Sequence, residues 1–494
     1  MQRSTTLDAC PGILTLHPAR DGHVARIRLP GGYVRRAQWA ALAALAADFG
    51  DGCLDLTARG NVQLRGLQPT AAAELARRAA RAGLLPSGAH DRSRNITASP
   101  LSGLGGQRPL RRLVAALDAA LIADPELAAL PGRFLCAVDD GTGGAALADS
   151  DLGLRRSSGR VEVFVAGRSA GVLVPVSAAV PAVLTAAREA IARGVGGQVT
   201  RIRDLADGGA SVAAAIRGAL GPPASPDDGR LPLGLRAWDR TVPSSATSAS
   251  GAAPALGTAD GSGRPAGSGT AAGSGIAAGL GAAPALGAAS ALGIAPGLGT
   301  APALSTASAL GIVPGPGTAP ALAGAPASGS AVAVIAAPLG RLTGEQVVLI
   351  GTLLRSGEVI RLAAASRVVI PLTAPSAAAP ADQAIPPANP ASALDSLARL
   401  AASGLLTGDD DALAGVTACS GLACSRAVAD VRGAARPLPG HPRTHWAACP
   451  RSCGKPRDAE AVVAAGPDSF LLPGQPAPRP LADLTAPNPR SGTS

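Results

Sequence analysis

Four of the seven cysteines lie in two close pairs near the end of the chain, where they could bind a single metal centre. Cys419 and Cys424 form a C-x4-C pair, and Cys449 and Cys453 form a C-x3-C pair. Thiolates are soft ligands that suit iron–sulfur clusters and zinc. Because structural zinc sites more often use C-x2-C hairpins, the spacing favours an iron–sulfur cluster. Zinc and unligated thiols are the alternatives.

Positively charged side chains surround these cysteines and would offset the negative charge of an iron–sulfur cluster. The basic residues are Arg426, Arg432, Arg436, Arg443, Arg451 and Lys455. A solvated loop explains them equally well. His441 and His445 lie between the two pairs and could ligate iron or donate hydrogen bonds to sulfur, but histidines at the surface or in the packing are the alternative.

A second candidate site is an alternating stretch at residues 53–67, which predicts one long β-strand. Its apolar face contains Leu54, Leu56, Ala58, Val62 and Leu64, and its polar face contains Asp55, Thr57, Arg59, Asn61, Gln63 and Arg65. Side chains on one face of a strand repeat about every 6.6–6.8 Å. The polar row could therefore bind a ligand with several carboxylates, and a water-facing strand is the alternative.

Residues 359–372 are similar to this stretch and suggest that the chain contains an internal duplication. When Arg59 is aligned with Arg367, apolar residues on both sides coincide in part. A duplication would explain why a low-complexity segment lies between the two stretches.

Arginine dominates the positive charge of the chain. Lys and Arg total 44 against 34 Asp and Glu, which gives a net charge of +10, and Lys455 is the single lysine. A GC-rich codon bias explains this preference together with the abundance of Ala, Gly and Pro. The sequence has no basic run with interleaved aromatic residues, so nucleic acid is the least favoured anionic partner. An anionic membrane or a polyanionic small molecule fits the charge better.

Residues 242–331 differ from the rest of the chain and are predicted to be a disordered linker. They consist mainly of Ala, Gly, Pro, Ser and Thr, and their only charges are Asp260 and Arg264. Gly and Pro recur too often for a membrane-spanning helix of about 20 residues. Residues 1–12 contain no secretory signal. We therefore expect a cytoplasmic protein that does not associate with a membrane.

The flanking regions show patterns of both helices and strands, which predicts an α+β fold. Residues 24–29 and 160–165 are predicted strands, and residues 30–32 are a predicted turn. Helical periodicity occurs at 35–48, 71–82, 110–123 and 180–192.

Short motifs along the chain form a specific combination. The N-terminal motifs are Cys-Pro-Gly at 10–12, Asp-Gly at 21–22, Arg26 and Pro-Gly-Gly at 30–32. Residues 56–66 read Leu-Thr-Ala-Arg-Gly-Asn-Val-Gln-Leu-Arg-Gly, 94–100 read Arg-Asn-Ile-Thr-Ala-Ser-Pro, and 130–134 read Leu-Pro-Gly-Arg-Phe. With the cysteine segments 417–432 and 445–456, they resemble the nitrite and sulfite reductase superfamily, and within it the precorrin-3B synthase family of aerobic cobalamin biosynthesis.

The sequence departs from that family at three places. Its first cysteine pair is C-x4-C where the family usually has C-x5-C. Arg133 stands where the family has a lysine, and Ala-Ser precedes Arg367 where the family often has Pro-Trp. Five peptide steps still span up to about 17 Å, so both thiols of the first pair can reach one cluster.

The resemblance implies a pseudo-twofold duplicated nitrite/sulfite reductase-like fold. In this fold, ferredoxin-like half-domains accompany α+β domains of the cluster or sirohaem type. We expect half-domains at 1–86 and 332–400, an α+β domain at 87–241, an iron–sulfur cluster domain at 401–480 and a flexible tail at 481–494.

The resemblance also implies a monooxygenase that uses dioxygen to hydroxylate precorrin-3A at C20 with γ-lactone formation, with electrons from an unidentified donor. It implies a 4Fe-4S cluster on Cys419, Cys424, Cys449 and Cys453, and a mononuclear non-haem iron. The five histidines show no two-His-one-carboxylate pattern that would identify ligands for that iron. The residues expected to bind the tetrapyrrole substrate are Arg59, Asn61, Gln63, Arg65, Arg94, Asn95 and Arg367.

Two other functions are compatible with the same residues. A ferredoxin-dependent sulfite or nitrite reductase would hold sirohaem beside a 4Fe-4S cluster. A non-enzymatic zinc- or tetrapyrrole-binding protein would use the four cysteines for zinc. The iron, sulfide, zinc and sirohaem contents of the purified protein separate these possibilities.

Overall fold

The computed structural model shows a mixed α+β protein built from four five-stranded sheets among its described residues. It describes residues 8, 10–103, 109–144, 147–157, 159–220, 312–314, 331–354, 358–371, 390–408, 411, 413–456 and 459–484. The predicted linker at 242–331 lies outside these residues, except for 312–314 and 331. No helix in the described ranges combines the length and apolar character needed to span a membrane.

The first half-domain contains two helices and most of a small sheet. Its strands are β1 (His17–Ala19), β2 (Gly22–Ile27), β3 (Tyr33–Arg35), β4 (Leu54–Leu56) and β5 (Val62–Leu67), and its helices are α1 (Arg36–Phe49) and α2 (Ala72–Arg81). Trp39, Leu42 and Leu45 repeat with a helical period and form the buried side of α1. The helices predicted at 35–48 and 71–82 are confirmed, as is the strand predicted at 24–29, which begins two residues earlier.

In its described residues, the middle domain contains one sheet and three helices. Its strands are β6 (Ile96–Ala98), β7 (Cys136–Asp139), β8 (Leu152–Ser157), β9 (Arg160–Val165) and β10 (Arg168–Pro175), and its helices are α3 (Arg111–Ala123), α4 (Val176–Ala192) and α5 (Ala210–Leu220). The strand order is β10-β9-β8-β7-β6. The strand predicted at 160–165 and the helices predicted at 110–123 and 180–192 are confirmed, and α4 begins four residues earlier than predicted.

The second half-domain repeats the elements of the first. Its strands are β11 (Ile312–Pro314), β12 (Ala331–Ala336), β13 (Arg341–Leu342), β14 (Val359–Ala363) and β15 (Arg367–Pro371), and its helices are α6 (Gly344–Leu353) and α7 (Pro390–Ala402). Strand β11 comes from the predicted linker and pairs antiparallel with β12. At least this short piece of the linker region is therefore part of a sheet.

The last domain contains one sheet and a short helix. Its strands are β16 (Val416–Ala418), β17 (Thr444–Ala447), β18 (Glu460–Gly466), β19 (Ser469–Leu471) and β20 (Arg479–Pro480), and its helix is α8 (Val431–Ala434). The first four residues of the predicted flexible tail form a 3-10 helix, Leu481–Leu484, with Leu484 buried. Residues 485–494 lie outside the described residues.

Each half-domain sheet takes its last strand from the other half. The strand orders are β1-β2-β5-β4-β13 and β11-β12-β15-β14-β3. Arg341 of β13 pairs with Asp55, and Tyr33 of β3 pairs with Arg361. The helices join as well, since the indole N–H of Trp39 donates to the Val347 carbonyl at 2.8 Å. The predicted duplication is confirmed, and the two halves share one hydrophobic core.

The middle and last domains form a second pair of repeats. In both sheets three parallel strands, β6-β7-β8 or β16-β17-β18, are followed by two antiparallel strands. Ile96 pairs with Cys136 in one sheet, and Val416 pairs with Thr444 at the same place in the other. The duplication therefore includes both kinds of domain.

The prediction of one continuous strand at 53–67 is wrong. The segment is a hairpin in which β4 and β5 are joined by a tight turn closed by the Thr57 N–H and the Asn61 carbonyl, at 2.9 Å. Gly60 adopts φ +68°, and a Cβ at this position would lie 2.6 Å from the Leu362 carbonyl oxygen. The alternation of residue types continues through the turn, but the backbone reverses because glycine permits this conformation.

The predicted alignment of Arg59 with Arg367 is also wrong, by two residues. Thr57 and Asn61 close the first turn, while Ala363 and Arg367 pair at the same place in the second. Arg367 is therefore the equivalent of Asn61. The turns agree further in that Ser366 adopts φ +59° at the position of Gly60.

Candidate functional site

The two cysteine loops begin at neighbouring strand ends. Cys419 directly follows β16, and Cys449 follows β17 by two residues. Because β16 and β17 are parallel, their carboxyl ends lie at the same edge of the sheet. The Cys419 N–H donates to the Trp446 carbonyl at 3.0 Å, which extends the pairing into the first loop. The sequence therefore places both loops together through ordinary strand pairing.

The four thiols share one electrostatic environment. Burial raises the pKa of the Cys453 thiol, the neighbouring Arg451 lowers it, and Cys449, Cys419 and Cys424 raise it further. The two predicted pairs therefore lie within electrostatic range of each other. Among the described residues, no group of three or more His, Cys, Asp or Glu side chains is arranged closely enough to hold a metal ion. The assignment of all four cysteines to one cluster therefore stays a prediction.

Backbone donors around Cys419 fit a sulfur ligand. Its Sγ accepts hydrogen bonds from the Ala448 N–H at 3.2 Å and from the Gly421 N–H at 3.5 Å. Hydrogen bonds to cysteine sulfur stabilise anionic clusters and adjust their reduction potentials. The chemistry of this donor set is compatible with an iron–sulfur cluster.

The two candidate histidines have different positions. His445 is buried beside the cysteine loops, its Nδ1 lies 3.0 Å from Thr417 Oγ1, and burial lowers its pKa to about 4. His441 instead pairs with the carboxylate of Glu460 at the beginning of β18. That is the opposite edge of the sheet from the cysteines, so the structure does not bring His441 to them.

Arg65 connects β5 to the first cysteine loop. Its Nε and Nη2 bind the two oxygens of Asp21 at 2.8 and 3.0 Å. Its Nη1 donates to Ser420 Oγ at 3.3 Å, and its Nη2 also donates to the Ala423 carbonyl at 3.1 Å. The structure thus places this predicted substrate residue in contact with the cysteine loop.

Arg26 and Arg28 of the first half-domain form a largely buried cationic region, and Arg26 lies within electrostatic range of Cys453. Arg28 is 2% exposed, and its Nε and Nη2 have no hydrogen-bond partner within the described part of the chain. Burial and the nearby Arg26 lower the pKa of Arg28 to about 9. Burial also lowers the pKa of Arg26, whereas the thiols of Cys10 and Cys453 raise it.

Arg59 belongs to the same cationic region. It is half-buried in the turn after β4, where its Nη1 donates to the Arg133 carbonyl at 3.2 Å. Burial, followed by the charge of Arg201, lowers its pKa to about 10. In the described ranges, Arg26, Arg28 and Arg59 have no carboxylate within ion-pair distance. These three guanidinium groups therefore form no ion pair with the described part of the chain, although Arg28 also donates to the Pro11 carbonyl at 3.2 Å and is buried.

Gln63 and Arg94 have different surroundings. Gln63 lies half-buried on β5, between Arg26 on β2 and Asp55 on β4. Arg94 is buried, and its Nε and Nη2 each lie 2.8 Å from an oxygen of Asp118 on α3. Gln63 therefore shares the face of Arg26, whereas the two hydrogen bonds to Asp118 join Arg94 to its own domain.

Asn61 and Asn95 join the turn to the middle domain. Asn61 Nδ2 donates to Asn95 Oδ1 at 3.0 Å, and Asn95 Nδ2 donates to the Phe134 carbonyl at 3.0 Å. Asn61 Oδ1 accepts from the Leu29 N–H at 2.9 Å. Both side chains are buried and position the backbone around Arg59.

Arg367 lies on the other half-domain sheet. It is buried at the beginning of β15, where it pairs with Ala336 and Ala363. The structure therefore places it at the position equivalent to Asn61 in the second copy, and not on the sheet that carries Arg26, Arg59 and Gln63.

An N-terminal segment that sequence reasoning did not assign to the site covers the cationic region. Asp91 Oδ2 accepts from the N–H groups of Ile13 and Leu14 at 2.7 and 2.9 Å. Asp8 Oδ2 accepts from the Gly132 N–H at 2.6 Å. A Cβ at Gly132 would lie 2.8 Å from both Arg28 Nη2 and Cys10 Cβ, so these two groups are close neighbours. The Cys-Pro-Gly motif was the only sequence signal for this arrangement.

Comparisons with known proteins agree with this architecture. Residues 17–82 match the family model described as nitrite/sulfite reductase ferredoxin-like half domain. A protein named ferredoxin–nitrite reductase from Synechococcus elongatus is 37% identical over 127 residues, which are 24% of this chain and 25% of that protein. The chain thus matches about a quarter of the length of this curated relative.

A solved structure extends the likeness to most of the chain. The NirA protein of Mycobacterium tuberculosis has a TM-score of 0.55 and 17% identity, over 88% of this chain and 69% of that one. Together with the duplicated sheets, this likeness confirms the predicted nitrite/sulfite reductase-like fold. The comparisons support the nitrite/sulfite reductase superfamily.

Proposed function

We propose that this protein is an oxidoreductase of tetrapyrrole metabolism, the precorrin-3B synthase of aerobic cobalamin biosynthesis. The reaction inserts one atom of dioxygen at C20 of precorrin-3A and closes a γ-lactone from an acetate side chain. The other oxygen atom leaves as water after the uptake of two electrons and two protons. We place the reaction in the cytoplasm, with an electron donor that is not yet identified.

The observation that carries this proposal is the set of guanidinium groups near the cysteine loops that form no direct ion pair within the described residues, although carboxylates such as Asp8 and Asp91 lie in their surroundings. Arg26, Arg28 and Arg59 are at least half-buried, and burial lowers the pKa of each. A buried charge is costly when it has no partner. The carboxylates of a tetrapyrrole would supply that partner through bidentate hydrogen bonds. Such a ligand would lie close to the Cys453 thiol, because that thiol acts electrostatically on Arg26.

The residues that would hold the proposed 4Fe-4S cluster are Cys419, Cys424, Cys449 and Cys453. When bound, the cluster would supply electrons singly. The chain's own contribution is to donate backbone hydrogen bonds to Cys419 Sγ and to hold the substrate nearby. A mononuclear iron would need further ligands, and the described histidines and carboxylates form no set that could hold it.

Of the proposed substrate residues, Arg59 and Gln63 have the positions that best suit direct contact. Arg59 and Gln63 are partly exposed, and Arg59 forms no ion pair within the described residues. Asn61, Asn95 and Arg94 would act by fixing the turn and the adjoining domain, since their side chains bind protein groups. Arg26 and Arg28 join the proposed carboxylate-binding set.

A ferredoxin-dependent sulfite or nitrite reductase is the second candidate. Over the short region that the two chains share, the similarity to the named nitrite reductase favours this candidate. An anionic inorganic substrate would also be attracted to the cationic region of Arg26, Arg28 and Arg59. The motif combination, which includes the N-terminal Cys-Pro-Gly, favours the synthase.

One preparation distinguishes these functions. We expect protein purified without air to contain iron and acid-labile sulfide but no extractable sirohaem. Incubation with precorrin-3A, dioxygen and a reductant should give a product heavier by one oxygen atom, measured by mass spectrometry with labelled dioxygen. Extractable sirohaem with nitrite or sulfite turnover would favour the reductase. Zinc without iron in a fully loaded sample would favour a non-enzymatic binding protein.

A further inference from the structure

The loop between Cys419 and Cys424 rests on the first half-domain sheet. The Ala423 carbonyl accepts hydrogen bonds from the Arg20 N–H and from Arg65 Nη2, both at 3.1 Å. Ser420 Oγ accepts from Arg65 Nη1. All of these donors belong to a domain more than 350 residues away in sequence. The first cysteine loop is therefore held by long-range contacts as well as by its own sheet.

We propose that Arg65, with its partner Asp21, is a positioning residue for the first cysteine loop and does not bind substrate. The effect of Arg65 on function depends on the proposed function, because the loop matters for activity only if its cysteines hold the 4Fe-4S cluster. The contacts that define it belong to the protein itself and are independent of any bound group.

The hydrogen-bonding capacity of Arg65 supports this role. A guanidinium group has five N–H donors. Asp21, Ser420 and Ala423 take four of them, and the side chain of Arg65 is 5% exposed. A substrate carboxylate would have to displace Asp21 and break the contacts to the loop. By contrast, the N–H donors of buried Arg28 and of half-buried Arg59 form no ion pair with a carboxylate in the described part of the chain.

A second arginine, Arg432, also contacts this loop. Arg432 Nε donates to the Cys419 carbonyl at 3.1 Å, and its Nη2 lies 3.7 Å from Asp55 Oδ1. Asp55 also lies 3.9 Å from Arg65 and 3.3 Å from Arg341. The carboxylate of Asp55 thus links both arginines that touch the loop. Such external support suits a C-x4-C loop, which has one residue fewer than the spacing usual in the family it resembles.

The test compares Arg65→Ala with Arg59→Ala in the full chain, purified without air. The control is Arg77→Ala, which removes an exposed arginine of α2. The first readout is the rate at which iron and acid-labile sulfide are lost in air. The second is amide hydrogen exchange of residues 419–428. The third is the affinity for uroporphyrin, a stable porphyrin with eight carboxylates.

For Arg65→Ala we expect loss of iron to be about fivefold faster and exchange in the loop about tenfold faster, since a local opening is favoured when anchoring bonds are lost. Uroporphyrin affinity should change less than about twofold, because Arg65 does not reach the ligand. Arg59→Ala should show the reverse pattern. Arg65→Lys should restore the loop only in part, because lysine cannot make the bidentate contact.

If Arg65→Ala lowered uroporphyrin affinity about tenfold and left the iron and the loop unchanged, the proposal would be overturned and Arg65 would be a substrate residue. Ser420→Ala removes a single anchor and provides a milder variant if Arg65→Ala does not fold. It should raise exchange in the same loop, and an unchanged rate would count against the proposal. If the parent protein contains no iron, the proposed function fails, but the exchange comparison still tests the anchoring role.

Discussion

The two half-domain sheets have equivalent strand orders but differ in the side chains at matching positions of one face. On the first sheet, Arg26, Gln63 and Asp55 lie side by side across β2, β5 and β4. The equivalent positions on the second sheet are Val334, Val369 and Arg361. The two valines are buried in a small apolar cluster with Leu101 of the middle domain packed against it. At two of the three positions, one copy therefore carries the polar side chains of Arg26 and Gln63 where the other carries valines covered by apolar packing.

The loops that meet these sheets differ in the same way. In the last domain, the Ala448 N–H donates to Cys419 Sγ at 3.2 Å. In the middle domain, the Asp140 N–H donates to Ser99 Oγ at the same distance, and Ser99 donates to Asp139 at 3.0 Å. The backbone arrangement is shared, but sulfur is replaced by oxygen. The comparison teaches that a duplicated fold preserves the backbone geometry of a loop, while a few side chains decide which chemical groups each copy presents there.

The largest expected difference between the copies is in metal content. Cys419→Ser should remove most of the iron and sulfide, because a hydroxyl is a poor ligand for such a cluster. Ser99→Ala, at the equivalent position of the middle domain, should retain them. Metal and sulfide analysis of both anaerobic preparations gives the result. Full iron and sulfide in Cys419→Ser would show that this cysteine is not a ligand.

The next effect concerns the sealed face of the second sheet. Val334→Arg introduces into this face the residue type found at Arg26 and should lower the free energy of unfolding by about 3 kcal/mol, because it buries a charge without a partner. Val348→Arg is the matched control, since Val348 is 61% exposed, and should change stability by less than about 0.5 kcal/mol. Denaturant unfolding measures both. Equal stability of the two variants would mean that the second face accepts charge and is not sealed.

A smaller effect is expected on anion binding. Arg59→Ala should weaken uroporphyrin binding about tenfold, equivalent to about 1.4 kcal/mol, without loss of iron. Arg367→Ala, a predicted substrate residue on the other sheet, should weaken it less than about twofold. Fluorescence titration compares the two. A tenfold loss for Arg367→Ala would make the second sheet part of the ligand site.

The smallest effect is a dependence on pH. Since burial lowers the pKa of Arg28 to about 9, uroporphyrin binding should weaken as the pH rises through 9. The unfolded chain keeps this proton to higher pH, so the contribution of Arg28 to the free energy of unfolding should increase with pH over the same range. Arg28→Met should remove both dependences. Binding and unfolding measured between pH 8 and 10 provide the check.

The sequence predicted the local elements well and the long-range contacts less well. Helix α1 follows from the spacing of Trp39, Leu42 and Leu45, because periodicity records which side is buried. The strand predicted at 53–67 failed because the alternation of residue types does not show where Gly60 reverses the backbone. Strands β3 and β13 have three and two residues, and their pairing partners lie in the other half of the chain, which no local pattern reveals.

The site was predicted in the same uneven way. The proximity of the two cysteine pairs follows from parallel strands that end at one edge. Arg65 was interpreted from alternation as a candidate ligand-facing residue, whereas Arg28 belonged to the strand predicted at 24–29 and was given no role. The structure buries both, because the cysteine loop covers one and the N-terminal segment covers the other. Burial of a polar face by another domain depends on tertiary contacts and has no signature in the strand itself.

The exchange of edge strands also has a consequence for the synthesis of this protein on the ribosome. Arg341, which completes the first sheet beside Asp55, follows it by 286 positions. At about 5–20 residues per second, a ribosome needs on the order of tens of seconds to translate that interval. Throughout this time the nascent chain exposes an unpaired β4 edge of the kind that invites pairing with other chains. Only the late emergence of two residues, Arg341 and Leu342, closes it.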